Sequence, residues 1–287
     1  MLPSSWKNFT VAAALALTAA GGLIATLLFA RSQRTQPQRC PPGLVAMGPR
    51  CCGHGQRVEG GRCVGRPSAC GINMRVTESG CVATTQRVLV SGGNFVVSVA
   101  DWEANMTTGQ RTVSLKSFRI DSQEVSTLDW NHCADGGRCD RRDAEPGRPV
   151  WGVTPKQAAQ FCTWASGRLP SVDEWRAAAM GTEARRFPWG PTGLVCRRAS
   201  FGLVDGPCGH GADGPELAGA RPGGATPSGI HDLAGNVAEW AIGADGSAVA
   251  MGGSFASRLA AELKPAAYPL ERPNPEQVGF RCVYPEG

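Results

Sequence analysis

The spacing of the cysteines constrains this chain more than any other feature. Twelve are present, and three successive pairs, Cys40/Cys51, Cys52/Cys63 and Cys70/Cys81, each enclose ten residues. Each interval holds glycine and a small polar turn, and the last two share Arg57-Val58 and Arg75-Val76. The spacing predicts three small hairpin loops, each closed by its own disulfide. Zinc, with His54 beside Cys52 as a ligand, is the sharper alternative, but the close ligand pairs of zinc motifs are missing. Cys133 and Cys139 bracket a turn-rich loop. Cys196 and Cys208 pin a Gly- and Pro-rich stretch between Arg185 and Gly229, which leaves Cys162 to pair with Cys282. Twelve cysteines with none spare point to an oxidising compartment.

Residues 9–30 carry no charge. As a helix they would extend roughly 33 Å, enough to cross a bilayer core. Cleavage after Ala20 as a signal peptide is the rival reading, but the apolar run continues past that site, so an uncleaved anchor is expected. Lys7 precedes the span while Arg31, Arg34 and Arg39 follow it, which by the positive-inside rule would place the domain in the cytoplasm. The patterned cysteines outweigh that bias and place it on the extracytoplasmic side. Residues 1–8 then form a cytoplasmic tail, 31–39 a polar linker, 40–82 the Cys-rich repeats, and 91–287 a large domain. A formal charge of +5 is spread along the chain without a basic run, which gives no reason to expect nucleic-acid binding.

In the large domain, Ser91-Gly-Gly-Asn-Phe-Val-Val-Ser-Val reads as a strand. Val113, Leu115, Phe118 and Ile120 read as another with a bulge after Leu115. Thr154-Pro-Lys-Gln157 and Ser171-Val-Asp-Glu174 are capping boxes, each opening a helix that Gly167 and Gly181 end. Gly 38 and Pro 21 leave much of the remainder to loops. Arg168-Leu-Pro and Glu174-Trp175 are accounted for by capping and packing.

Gly229-Ile-His-Asp-Leu-Ala-Gly-Asn-Val-Ala-Glu-Trp240 sets Asp232 and Glu239 around a tight Gly235 turn. Carboxylates and turn carbonyls are the donors that calcium takes, although from the turn alone a polar loop closed by a core tryptophan is the simpler reading. Together with Gly167-Arg-Leu-Pro-Ser-Val-Asp-Glu-Trp175, Phe187-Pro-Trp-Gly190, Gly252-Gly-Ser-Phe255 and Gly279-Phe-Arg-Cys282, this stretch resembles the formylglycine-generating-enzyme (sulfatase-modifying factor) family in motif order and spacing. The resemblance covers about residues 91–287. It implies an irregular α+β fold related to C-type lectins, with little regular secondary structure. It also implies calcium ligands at Asp232, the carbonyls of Gly235 and Val237, and Glu239. A second family site falls near Ser200, Phe201 and Asp213, where Ser200 is a poor ligand.

In active members a cysteine pair just after Gly-Gly-Ser holds copper(I), which activates oxygen to convert a substrate cysteine to formylglycine. Aligned on Gly252-Gly253-Ser254, those positions carry Ser257 and Glu262, hard oxygen donors unsuited to copper(I). His54, His132, His210 and His231 lack the paired spacing that the histidine–iron branches of the family would need. The expected protein is therefore a membrane-anchored binding module for a peptide or protein ligand. Its former substrate groove would be lined by Ser254, Ser257 and Glu262. An oxidase with an unconventional metal site and a structural envelope protein are the alternatives.

Overall fold

The computed structural model describes residues 45–47, 50–59, 62–70, 74–76, 81–83, 85–97, 111–135, 137–193, 196–267 and 269–286. The expected membrane span and the linker after it lie outside these residues. Among the described residues no helix is long and apolar enough to cross a membrane.

Each cysteine repeat builds one antiparallel hairpin. These are β1 (Val45–Met47) with β2 (Arg50–Cys52), β3 (Arg57–Glu59) with β4 (Arg62–Val64), and β5 (Met74–Val76) with β6 (Cys81–Ala83). The register repeats as well: Cys51, Cys63 and Cys81 lie opposite Ala46, Val58 and Val76. Cys52 bonds Cys63 as expected, with Cα atoms 5.6 Å apart. Because Cys52 also closes β2, this bond ties the first hairpin to the second as well as closing the second repeat. Buried Gln56 reinforces it, accepting from Gly53 N–H (2.9 Å) and donating to Gly65 O (2.8 Å). Of the expected Cys40–Cys51 and Cys70–Cys81 pairings, Cys70 is disulfide-bonded, while Cys40 and the side chains of Cys51 and Cys81 lie outside what the structure describes.

The larger part begins with β7 (Arg87–Val90) and β8 (Gly93–Val96). The bulged strand expected over 113–120 is instead two strands, β9 (Thr112–Leu115) and β10 (Phe118–Asp121). β9 pairs with β8, while β10 is the centre of a separate antiparallel sheet, flanked by β7 and by β14 (Val283–Pro285). The chain changes sheets between them at a crowded point. A Cβ on Gly92 would meet Ser117 N at 2.7 Å, so only glycine fits there.

Three helices follow. Sequence reading had placed only a loop before Cys139, but α1 (Thr127–Asp135) occupies part of it. Its sequence is polar and weakly periodic, and its local signal is Ser126, whose Oγ accepts from Asp129 N–H (3.1 Å). The two capping boxes form as expected and start α2 (Pro155–Trp164) and α3 (Val172–Met180). Gly167 has a second role: a Cβ there would meet Val283 O at 2.7 Å. A last sheet joins β11 (Ala238–Ile242) to β12 (Ala248–Met251) antiparallel and to β13 (Val278–Gly279) parallel.

Two main cores result. Trp130 stacks on Phe161 at 5.7 Å, with Phe280 edge-on to Phe161 at 5.4 Å, around α1, α2 and the C-terminal strands. Ile120, Trp175, Leu233 and Met251 fill the space between the two three-stranded sheets and α3. Cys133–Cys139, Cys162–Cys282 and Cys196–Cys208 form as expected. Cys162–Cys282 joins α2 to the chain before β14 across a sequence separation of 120, and both cysteines are fully buried.

Closing so long a loop restricts the unfolded chain strongly. Cys162→Ala/Cys282→Ala should lower unfolding stability by about 4 kcal/mol, read from urea titrations. A loss below about 1 kcal/mol would show that the bond is incidental to the fold.

Candidate functional site

The Gly229–Trp240 stretch is buried from Ile230 onward. Asp232 and Asn236 adopt positive φ (57° and 61°), as does Gly235 (93°), so the backbone coils tightly. A Cβ on Gly235 would collide with Ser200 O, and the same carbonyl accepts from Asn236 N–H at 2.7 Å. The Asn236 side chain bridges two segments. Its amide donates to Glu124 Oε1 (3.1 Å), and its Oδ1 accepts from Glu216 N–H (2.9 Å).

The turn delivers Glu239 into β11 at 1% exposure, against Arg281 at 0%. Arg281 Nε donates to Glu239 Oε2 (2.8 Å) and Nη2 to Oε1 (2.6 Å), a two-pronged ion pair. Trp175 Nε1 donates to the same Oε2 at 2.7 Å. Remaining Arg281 donors reach Asp121 O (3.0 Å) and His231 O (2.8 Å). One guanidinium thereby joins β10, the turn, β11 and the C-terminal segment.

Sequence reading treated Asp232 and Glu239 as a pair and overlooked Arg281, although a charge between Phe280 and Cys282 in an apolar tail marks a buried partner. Glu124, fully buried, was missed as well. Its Oε2 has no hydrogen-bond partner, and burial followed by the Asp232 charge pushes its pKa well above the ordinary value. Burial also pushes Asp232 up to about 6, although its Oδ2 accepts from Gly219 N–H at 2.5 Å. Asp121 is likewise raised to about 6 by burial, against hydrogen bonds from Cys282 N–H and Tyr284 Oη. His231 is pushed down to about 4 by burial and by Arg281.

These commitments bear on the expected calcium ligands. Both oxygens of Glu239 already accept hydrogen bonds, from Arg281 and Trp175, and Asp232 Oδ2 accepts one from Gly219 N–H. Among the described residues no group of three or more His, Cys, Asp and Glu side chains is placed to hold a metal ion. The donor set as arranged does not fit calcium at Glu239. At the second family position Ser200 Oγ donates instead to Glu216 Oε2 (2.6 Å), and Glu216 is clamped by Arg221 at 2.5 Å.

Groove candidates Ser254 and Ser257 are buried and bonded to each other. Ser257 Oγ accepts from Ser254 N–H (3.0 Å), and Ser254 Oγ donates to Gln277 Oε1 (3.0 Å). Glu262 Oε1 accepts from Leu259 N–H (3.2 Å) at the start of a 3-10 turn over Ala260–Leu263. Gly253 lies between them: a Cβ there would stand 3.1 Å from both Ser257 Oγ and Glu262 O. The three residues do meet at one place, a closed turn in which Ser254 and Ser257 are hydrogen-bonded and Glu262 Oε1 accepts from the backbone. His54, His132 and His210 are exposed while His231 is buried, so the structure gathers no histidine group.

The family profile of the sulfatase-modifying factor enzyme 1-like domain matches residues 74–285. The chain belongs to this family. The match starts at β5, so it takes in the third hairpin as well as the large domain. Among curated relatives of this sulfatase-modifying factor protein, hercynine oxygenase of Mycolicibacterium smegmatis is 29% identical over 213 residues, 59% of this chain and 48% of that protein. Inactive C-alpha-formylglycine-generating enzyme 2 of Mus musculus is 32% identical over 123 residues, 41% of this chain and 39% of that one. The chain thus spans half or less of the length of these relatives. The solved structure of PvdO from Pseudomonas aeruginosa shares the fold, with a TM-score of 0.56 at 18% identity, over 69% of this chain and 94% of that one.

The buried carboxyls carry opposite signs of pH dependence to His231. Asp232 rises from 3.8 to about 6 on folding, so the folded state holds its proton longer and stability falls as pH climbs through 4–6. His231 falls from 6.5 to about 4, so its contribution is lost as pH drops through that window. Asp232→Asn removes the first effect and relieves the Asp232 charge on Glu124, leaving His231 in place. Relative to wild type, the variant should gain about 2 kcal/mol between pH 4 and pH 7, measured by chemical unfolding at both pH values. A gap that stays constant or moves the other way would contradict the charge assignment.

Proposed function

We propose that this protein is a binding module that keeps the sulfatase-modifying factor fold without copper(I) oxidation, anchored by residues 9–30 with its domain outside the cytoplasm. One observation carries the reading. Ser257 and Glu262 stand where active members are expected to hold a cysteine pair, and Ser257 Oγ and one Glu262 oxygen accept from local backbone N–H groups. Among the described residues no cysteine is free, so thiolate, the soft donor copper(I) needs, is not on offer. The mouse relative described as inactive supports the idea that the fold persists without the oxidation. The disulfides at Cys52–Cys63, Cys133–Cys139, Cys162–Cys282 and Cys196–Cys208 support an oxidising compartment. The ligand of such a module is a peptide or protein, met by loops on a rigid scaffold.

The test is competition for copper(I) against bicinchoninate, followed by its colour. Wild type should leave the chromophore intact and convert no cysteine in a substrate peptide, whereas Ser257→Cys/Glu262→Cys should withdraw one copper per chain. Stoichiometric copper uptake by wild type, with aldehyde formation in the peptide, would sink the reading.

A further inference from the structure

We propose that the disulfide-closed loop from Cys196 to Cys208 docks an acidic peptide segment of a partner protein, whose carboxylates sit on Arg197 and Arg198 beside Trp189. The proposal rests on the binding-module reading and adds the chemistry of the partner.

The loop is held from several sides. Cys196–Cys208 closes it, with Cα atoms 5.4 Å apart. Arg221 Nη1 donates to Cys196 O, and the carbonyl of Arg198 lies so close to Gly224 that a Cβ there could not fit. Ser200 O is fastened to Asn236 N–H at 2.7 Å, which ties the loop to the buried turn. Side chains on a backbone fixed in this way lose little further freedom when a ligand arrives.

The loop displays two arginines that no acidic side chain pairs among the described residues. Arg197 is exposed and Arg198 half-buried, and no described acidic side chain pairs with either, whereas neighbouring Arg221 and Arg258 both have acidic partners. Burial and the adjacent Arg197 charge both depress the Arg198 pKa, the mark of a cation in uncompensated surroundings. Holding two like charges together costs stability unless an anion completes the site.

An aromatic platform stands beside them. Phe187-Pro-Trp-Gly190 turns back on itself through paired Phe187 and Gly190 backbone bonds, and the Phe187 and Trp189 rings stack at 5.0 Å. Trp189 fixes its indole by donating to Thr192 O (3.1 Å), and the Arg198 guanidinium lies 5.8 Å from its ring centre. Trp189 also packs against the buried cluster of Ala199, Phe201, Ala234 and Leu263. Leu263 lies 3.2 Å from the Cβ that Gly253 lacks, so this surface borders the closed Ser254–Ser257 turn. Apolar area adjoins the charge. Val204 is 41% exposed within the loop, and Leu259 is 64% exposed next to Arg258, which pairs with Asp205 of the loop at 3.6 Å. Arginine, tryptophan and exposed aliphatic groups together are the composition of a protein-binding surface. The charge selects carboxylates, and the aliphatic groups select a peptide that carries apolar side chains.

Fluorescence anisotropy on the full chain in detergent, with a fluorescein-labelled peptide alternating Glu and Leu, tests this. The acidic peptide should bind, more weakly with added salt, and about tenfold tighter than a Gln/Leu counterpart. Arg197→Glu/Arg198→Glu should weaken it at least about tenfold with an unchanged melting temperature, and Arg197→Ala/Arg198→Ala should fall between. The alanine pair serves as the test if charge reversal impairs folding. Equal binding of both peptides, indifference to either double variant, or binding only to heparin oligosaccharides or phosphatidylserine vesicles would overturn the proposal. Such a failure in a chain that takes up no copper would leave the binding-module reading intact; copper uptake by wild type would remove that reading instead.

Discussion

The contact on which the rest of the structure depends is the buried ion pair between Arg281 and Glu239. Two charges at 0% and 1% exposure are costly to desolvate, and they are tolerable only because every side of the pair is bonded. Arg281 reaches Glu239, Asp121 O and His231 O, while Trp175 closes Glu239 from α3. Segments far apart in sequence are thereby held in one register in a domain with few regular elements. In the same pair, the carboxylate that the family resemblance would give to an ion is held by a guanidinium.

Around that pair, negative charge exceeds positive. Glu124, Asp232 and Asp121 are all buried near one guanidinium, and each is raised toward its neutral form. The domain's polar centre is therefore a structural element in which burial disfavours the charged form of each carboxyl. The peripheral loops carry the exposed chemistry. Arg197, Trp189 and Leu259 lie on turns that are pinned from beneath by Asn236, Arg221 and the Cys196–Cys208 bond.

What could be read from the sequence followed the range of the interactions. The capping boxes at Thr154 and Ser171 are written in four adjacent residues and formed as expected. Cys162–Cys282 was legible by elimination, because every other cysteine had a near partner. Helix α1 was missed because Thr127–Asp135 is polar and owes its place to Trp130 packing on Phe161. The split between β9 and β10 was missed because strand alternation does not reveal that a chain changes sheets at Lys116. Arg281 lies 42 residues from Glu239, a partnership no local pattern encodes. Family alignment names Ser257 and Glu262 together, and only the coordinates show Ser257 buried and bonded to Ser254.

Arg281 and Glu239 act as one unit in holding the fold together. A double-mutant cycle of Glu239→Gln, Arg281→Met and the combined variant, followed by urea unfolding, tests it most directly. Each single change should cost about 3–5 kcal/mol, because it leaves the other group buried without its partner, and the double variant should recover at least about 2 kcal/mol of their sum. Costs that add to within about 0.5 kcal/mol would show two independent side chains, and the account of this fold as one built around a single ion pair would fail.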